Sequence, residues 1–152
     1  MAALLVATLL AGALLLVVVL ACTAWLWMRA SLPDIDGEAT VTGIDADVTI
    51  ERDIDGIPVI TASSRADLAF ATGYVHGQDR FFQMDLIRRR AAGELSALVG
   101  EAAIGIDKRF RLHRFRARAQ RVYEGTGDAD RALIDAYAAG VNAGLASLDA
   151  WP

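Results

Sequence analysis

Between positions 2 and 28 the chain carries no charged residue, and leucine, valine and alanine fill most of that run. Nothing else in the sequence limits its folding so strictly. As a helix rising about 1.5 Å per residue, the run is long enough to cross a hydrocarbon core of roughly 30 Å. A helix of a soluble domain is disfavoured, because every face is apolar. A cleaved signal peptide calls for a basic n-region, a shorter apolar segment and a small-x-small cleavage site, whereas here only the α-amino group precedes the run. Trp25 and Trp27 near its end suit a membrane interface. Residues 1–30 therefore read as an uncleaved signal anchor, with cleavage as the alternative. Val19-Leu-Ala-Cys22 is a poor lipobox, since Leu20 fits badly and apolar residues follow the cysteine. Arg29 alone flanks the far end, too little charge to set an orientation. Cys22 is the sole cysteine, so no intrachain disulfide is possible.

Residues 31–152 are charged and glycine-containing, a fair length for a small domain. The net charge of −4 argues against a nucleic-acid partner for the whole chain. Residues 29–43 read as a linker that Pro33 stiffens and Asp34, Asp36 and Glu38 solvate. Residues 48–52 and 57–61 alternate as half-buried strands should, around an Asp55-Gly56 turn, and predict a β-hairpin with Pro58 at an edge or bulge. Ser64 and Asp67 resemble a capping box. The spacing then predicts a helix from Ala66 to about His76. A second helix follows, with Phe81, Met84, Ile87, Ala91, Leu95 and Leu98 along one stripe, interrupted at Gly93 and ended by Gly100. Asp85 precedes Arg88 and Arg89 by three and four residues, the favourable order for helix pairs. A third helix is predicted over 107–123, with Leu112, Phe115, Ala119 and Val122 on one stripe and Arg111, Arg114, Arg118 and Arg121 beside it. After Gly125-Thr-Gly127, Asp128 is the expected N-cap of a last helix reaching about Leu148. Its stripe is Ile134, Tyr137, Val141, Leu145 and Leu148. Gly140 and Gly144 add a smooth patch that admits a close backbone.

The residues that carry chemistry are sparse. Ser31, Ser63, Ser64, Ser96 and Ser147 lie outside any Gly-x-Ser-x-Gly elbow, and His76 and His113 stand near no nucleophile motif. Asp34, Asp36 and Glu38 are spaced two apart but lack the glycine and terminal glutamate of a calcium loop. Asp79, Arg80 and Asp85 read as helix-pinning charges more than as substrate contacts. The basic stretch 108–121 suits a solvated face or, failing that, an anionic membrane surface. No catalytic, cofactor-binding or metal-binding residue is assigned.

One stretch is too long and varied to arise from amphipathic patterning: 76–100, with Gln78-Asp-Arg-Phe-Phe-Gln-Met-Asp-Leu-Ile-Arg-Arg-Arg90 at its heart. With Arg52-Asp-Ile-Asp-Gly-Ile-Pro-Val-Ile-Thr-Ala62 upstream, it resembles the start of the α chain of the penicillin acylase (penicillin amidase) family, over about 31–143. The resemblance implies an N-terminal-nucleophile amide hydrolase whose precursor is cut so that a serine becomes the first residue of a β chain. That serine attacks an acyl amide with its own α-amino group as base. The resemblance also implies a four-layer αββα fold for the complete enzyme. A structural calcium is implied too, with its α-chain ligand past Pro152. Such enzymes commonly act outside the cytoplasmic membrane.

The expected molecule is thus a mainly helical α+β piece with an N-terminal β-hairpin, preceded by a transmembrane helix. Residues 1–30 anchor it in the cytoplasmic membrane through 2–28. Residues 31–152 form the N-terminal part of a truncated α chain facing the periplasm or cell exterior. Its expected partners are the remaining α chain, the β chain and an N-acyl amide, such as a β-lactam side-chain amide or an acyl-homoserine lactone. The nucleophile is absent, so the chain alone should be inactive and should leave the 134–148 stripe uncovered. The alternative is a non-enzymatic, membrane-anchored helical interaction protein.

Overall fold

The computed structural model describes residues 1–30 and 32–148. The first helix, α1 (Ala2–Ala30), stands apart from the rest. Over Val6–Ala30 its mean hydropathy is 2.6 and none of it is buried. Its one hydroxyl near the far end, on Thr23, donates back to the carbonyls of Val19 and Leu20. That satisfies the polar group within the helix.

The hairpin forms as its alternation predicts. β1 (Thr49–Arg52) and β2 (Pro58–Thr61) pair antiparallel, with Ile50 opposite Ile60 and Arg52 opposite Pro58. Pro58 opens its strand, a position where its missing N–H costs least. The carboxylate of Asp53 closes the loop by accepting from the backbone N–H groups of Asp55 and Ile57.

α2 (Arg65–Ala92) merges the two helices expected over 66–98 into one, with a kink at Arg80 (φ −149°, ψ 27°). Ser64 caps it through its side chain, accepting from the Asp67 N–H at 3.0 Å. The 1%-exposed Asp67 carboxylate in turn accepts from the Ser64 hydroxyl and from the Asp45 N–H, which ties the incoming linker to the helix start. Gly93, not Gly100, ends this helix. Its φ of 72° is left-handed, and the Gly93 and Glu94 N–H groups return to the Arg90 and Arg89 carbonyls as a Schellman motif.

A short helix, α3 (Ser96–Val99), and a 3-10 turn (Gly100–Ala103) lead into α4 (Ile104–His113). The helix expected over 107–123 is split: Arg114 takes φ 53°, and α5 (Phe115–Glu124) starts after it. The stripe assigned to it faces outward instead, with Leu112 81% and Val122 70% exposed. α6 (Asp128–Ala146) starts one residue earlier than expected: Gly127 stands at the cap without a side-chain bond, and Asp128 is the first helical residue.

α2 and α6 make the core. Phe70, Ala71 and Val75 of α2 are buried, as are Leu145 of α6 and Leu148 just past its end; Phe70 lies against Gly140 and Leu145 against Gly77. Contacts advance together along both helices, so the two run parallel, joined by the crossover through α3, α4 and α5. The 134–148 stripe, expected to be uncovered, is instead buried at Leu145, which lies against Gly77 of α2, and at Leu148, with Ile134 46% exposed at the other end. Its partner lies upstream in the same chain.

Candidate functional site

The polar groups singled out by the sequence gather where the hairpin, α2 and α6 meet. His76 lies on α2 facing α6, and its Nδ1 is 2.9 Å from the Tyr137 hydroxyl, with the rings edge to face. Half-buried together, the two satisfy each other's polar atom inside an otherwise apolar seam. Two residues further along α2, the Gln78 amide donates to the Ser147 hydroxyl at 3.0 Å, and that hydroxyl donates to the Gly144 carbonyl. Arg52, at the end of β1, places both guanidinium N–H groups on the Asp79 carboxylate at 2.8 and 3.1 Å and also donates to the Gly56 carbonyl. One side chain thus fastens the hairpin turn to α2.

Asp79 and Asp85 act as pins. Asp85 accepts from Arg89 and Arg88, and the Arg89 hydrogen bond, against opposing burial and with help from Arg88, holds its carboxyl below the usual range. Arg80 sits at the kink of α2. Asp107, which sequence reasoning passed over, is 3% exposed and accepts from the backbone N–H groups of Leu95 and Ser96 at 2.9 and 2.8 Å. Burial pushes its carboxyl up. The hydrogen bonds from Ser96 and Leu95, with the Arg111 charge, more than offset this and leave it lowered. Arg111 donates to the Gly93 carbonyl at 2.8 Å, so the α4 pair Asp107–Arg111 braces the end of α2.

No hydrolytic set assembles from these residues. Ser64 caps a helix, Ser147 pairs with Gln78, and Ser31 lies outside the described residues. Among the described residues neither imidazole is hydrogen-bonded to a serine, and His113 instead stacks on Phe115. Asp34, Asp36 and Glu38 are exposed. Among the described residues no three His, Cys, Asp or Glu side chains converge as metal ligands. An open cleft of about 440 Å³ lies where α2 leaves α6 beyond the kink, lined by Phe81, Met84, Asp85, Arg88, Tyr137 and Val141. The arrangement of these residues orders the hairpin, α2 and α6 against one another.

The pairs His76–Tyr137 and Gln78–Ser147 join residues 61 and 69 apart in sequence, and no local pattern announces them. The four-residue spacing of Gly73 and Gly77, matching that of Gly140 and Gly144, is the one signal that could have placed the two helices together.

A model of the penicillin amidase family matches residues 47–152. Penicillin acylase 2 proenzyme of Pseudomonas sp. strain SE83 is 41% identical over 120 residues, which is 79% of this chain and 16% of that protein. Acyl-homoserine lactone acylase QuiP of Pseudomonas aeruginosa is 36% identical over 126 residues, 82% of this chain and 15% of that protein. A solved structure of a thermostable penicillin G acylase from Alcaligenes faecalis superposes with a TM-score of 0.58 at 34% identity, covering 64% of this chain and 52% of that one. The chain spans about a sixth of the length of the curated relatives it matches. With well over half of its residues matched, including the hairpin, the kinked α2 and α6, this chain belongs to the penicillin amidase family.

Proposed function

We propose that the chain supplies the N-terminal scaffold of a membrane-anchored amide hydrolase that cleaves the linear C–N bond of N-acyl compounds. The family match over 47–152 carries this reading. The names of the relatives supply the substrate classes, a penicillin for one and an acyl-homoserine lactone for the other. In this reading a processed serine from the remainder of the enzyme attacks the acyl carbonyl, and water then releases the acyl group. An oxyanion hole from that same remainder stabilises each tetrahedral intermediate. The word proenzyme in one relative's name supports processing. The part described here holds the hairpin, α2 and α6 in fixed register, and the complete αββα layering would be built against them. Any calcium would take its ligands from the remainder, a reading supported by the lack of three converging His, Cys, Asp or Glu side chains among the described residues.

α1 is the proposed membrane anchor, with the following residues on the periplasmic or outer side. Its length, its mean hydropathy and the lack of any buried residue over Val6–Ala30 support the anchor. Fractionation tests it: the full chain should resist carbonate extraction from membranes, and its mature N-terminus should precede residue 30. A mature N-terminus near residue 31 would show a cleaved signal sequence instead.

A further inference from the structure

α5 presents an exposed face whose chemistry is that of an interfacial helix. Its inner side is held: the Tyr123 hydroxyl donates to Asp135 on α6 at 2.8 Å, and Arg116 pairs with Glu94. Phe115, Arg118, Ala119 and Val122 are spaced by three and four and share the neighbouring side, where the Phe115 ring also stacks on His113. All four are exposed, Phe115 by 41% and Val122 by 70%. The guanidinium groups of Arg118 and Arg121, at the edge of that face, have no partner among the described residues. Seven of the chain's fifteen lysines and arginines fall within 108–121, and no acidic residue separates them, although the whole chain is net −4. The charge is therefore concentrated on one short segment.

We propose that this face of α5 docks on an anionic lipid bilayer, with Phe115 and Val122 entering the headgroup boundary and Arg118 and Arg121 meeting lipid phosphates. Aliphatic and aromatic side chains at the centre of a basic rim gain from a lipid surface, whereas a nucleic-acid backbone offers them nothing. The inference rests on the anchor reading of α1 for its proximity argument. The 18 residues of 31–48 reach at most about 60 Å when extended, so an inserted α1 keeps α5 within range of the bilayer. Juxtamembrane cations gain enough from an anionic surface that each arginine should shift the docking equilibrium about fivefold.

Hydrogen exchange of the full chain in nanodiscs tests this, comparing pure phosphatidylcholine with discs containing phosphatidylglycerol. The expected result is slowed exchange of the α5 amides only on the anionic discs, reversed by high salt. Replacing both arginines (R118Q with R121Q) should lower docking about thirtyfold. These side chains are exposed and unpaired, so the variant's unchanged thermal unfolding controls for folding. Val122→Ser should weaken docking at any salt concentration. Equal α5 exchange on both lipids overturns the proposal whether or not α1 is inserted. Tighter binding of the full chain to a single-stranded RNA than to anionic vesicles would also overturn it. If carbonate extracts the chain while α5 is still protected on anionic lipid, docking stands and the anchor reading falls.

Discussion

Gly140 on α6 lies so close to Phe70 on α2 that a Cβ placed there would sit 1.9 Å from the Phe70 carbonyl oxygen. The same relation repeats one turn on, where a Cβ at Gly144 would meet the Tyr74 carbonyl oxygen at 2.0 Å. From the other side, Gly73 and Gly77 admit the Tyr137 and Val141 carbonyls at 2.1 and 2.4 Å. Four glycines at four-residue spacing thus let two parallel helices meet backbone to backbone. This contact sets the positions of His76, Gln78 and the hairpin docked on α2.

Gly140→Ala must therefore push α2 and α6 apart. Overpacking costs typically about 1–3 kcal/mol, and a collision with rigid backbone belongs at the upper end. Gly105→Ala is the control, since nothing lies within 4 Å of its Cβ and the position is inside α4. There the change should stabilise by up to about 1 kcal/mol. Thermal unfolding of the two variants should move in opposite directions.

Asp107→Asn should flatten the acid limb of stability. The folded-state carboxyl is lowered, so its contribution is complete above about pH 4, the ordinary aspartate range. It is lost as pH falls through the lower folded value. Asp85 and Glu94, lowered by Arg89 and Arg116 respectively, give the same sign. Melting temperature against pH between 6 and the acid transition should fall less steeply in the asparagine variant than in the parent.

The Arg52–Asp79 pair should couple hairpin and helix. Both side chains are about one-fifth exposed, and the contact is bidentate. A double-mutant cycle with Arg52→Ala and Asp79→Asn should give a coupling of roughly 1 kcal/mol, the upper end for partly exposed pairs. A coupling near zero would mean the hairpin is held by other contacts.

Tyr137→Phe deletes the hydroxyl opposite His76 and leaves a half-buried imidazole nitrogen unpaired. The expected loss is about 1–3 kcal/mol in chemical unfolding, with the slope against denaturant unchanged.

Local devices were legible in the sequence and distant ones were not. The hairpin, the Ser64 cap and the Asp85 pairs depend on residues a few positions apart, and each stands as its spacing implies. Gly140 and Gly144 announced a close approach, but the partner helix lies some 70 residues upstream. The Leu145–Leu148 end of the stripe therefore read as uncovered. The break at Arg114 has no sequence signal, because arginine is not a residue that favours left-handed backbone. Gly93 does break the helix where the sequence placed an interruption, and Gly100 ends the short α3 that follows.

Amide hydrolysis is the measurement that meets the central claim most directly. The purified chain should be assayed on chromogenic phenylacetyl and long-chain acyl amides, alone and co-expressed with the remaining portion of the penicillin acylase 2 proenzyme. The scaffold account predicts no turnover by the chain alone and turnover on complementation, lost when Gly140→Ala disrupts the α2–α6 seam. Turnover by the purified chain alone, abolished by replacing one of its own serines with alanine, would contradict it.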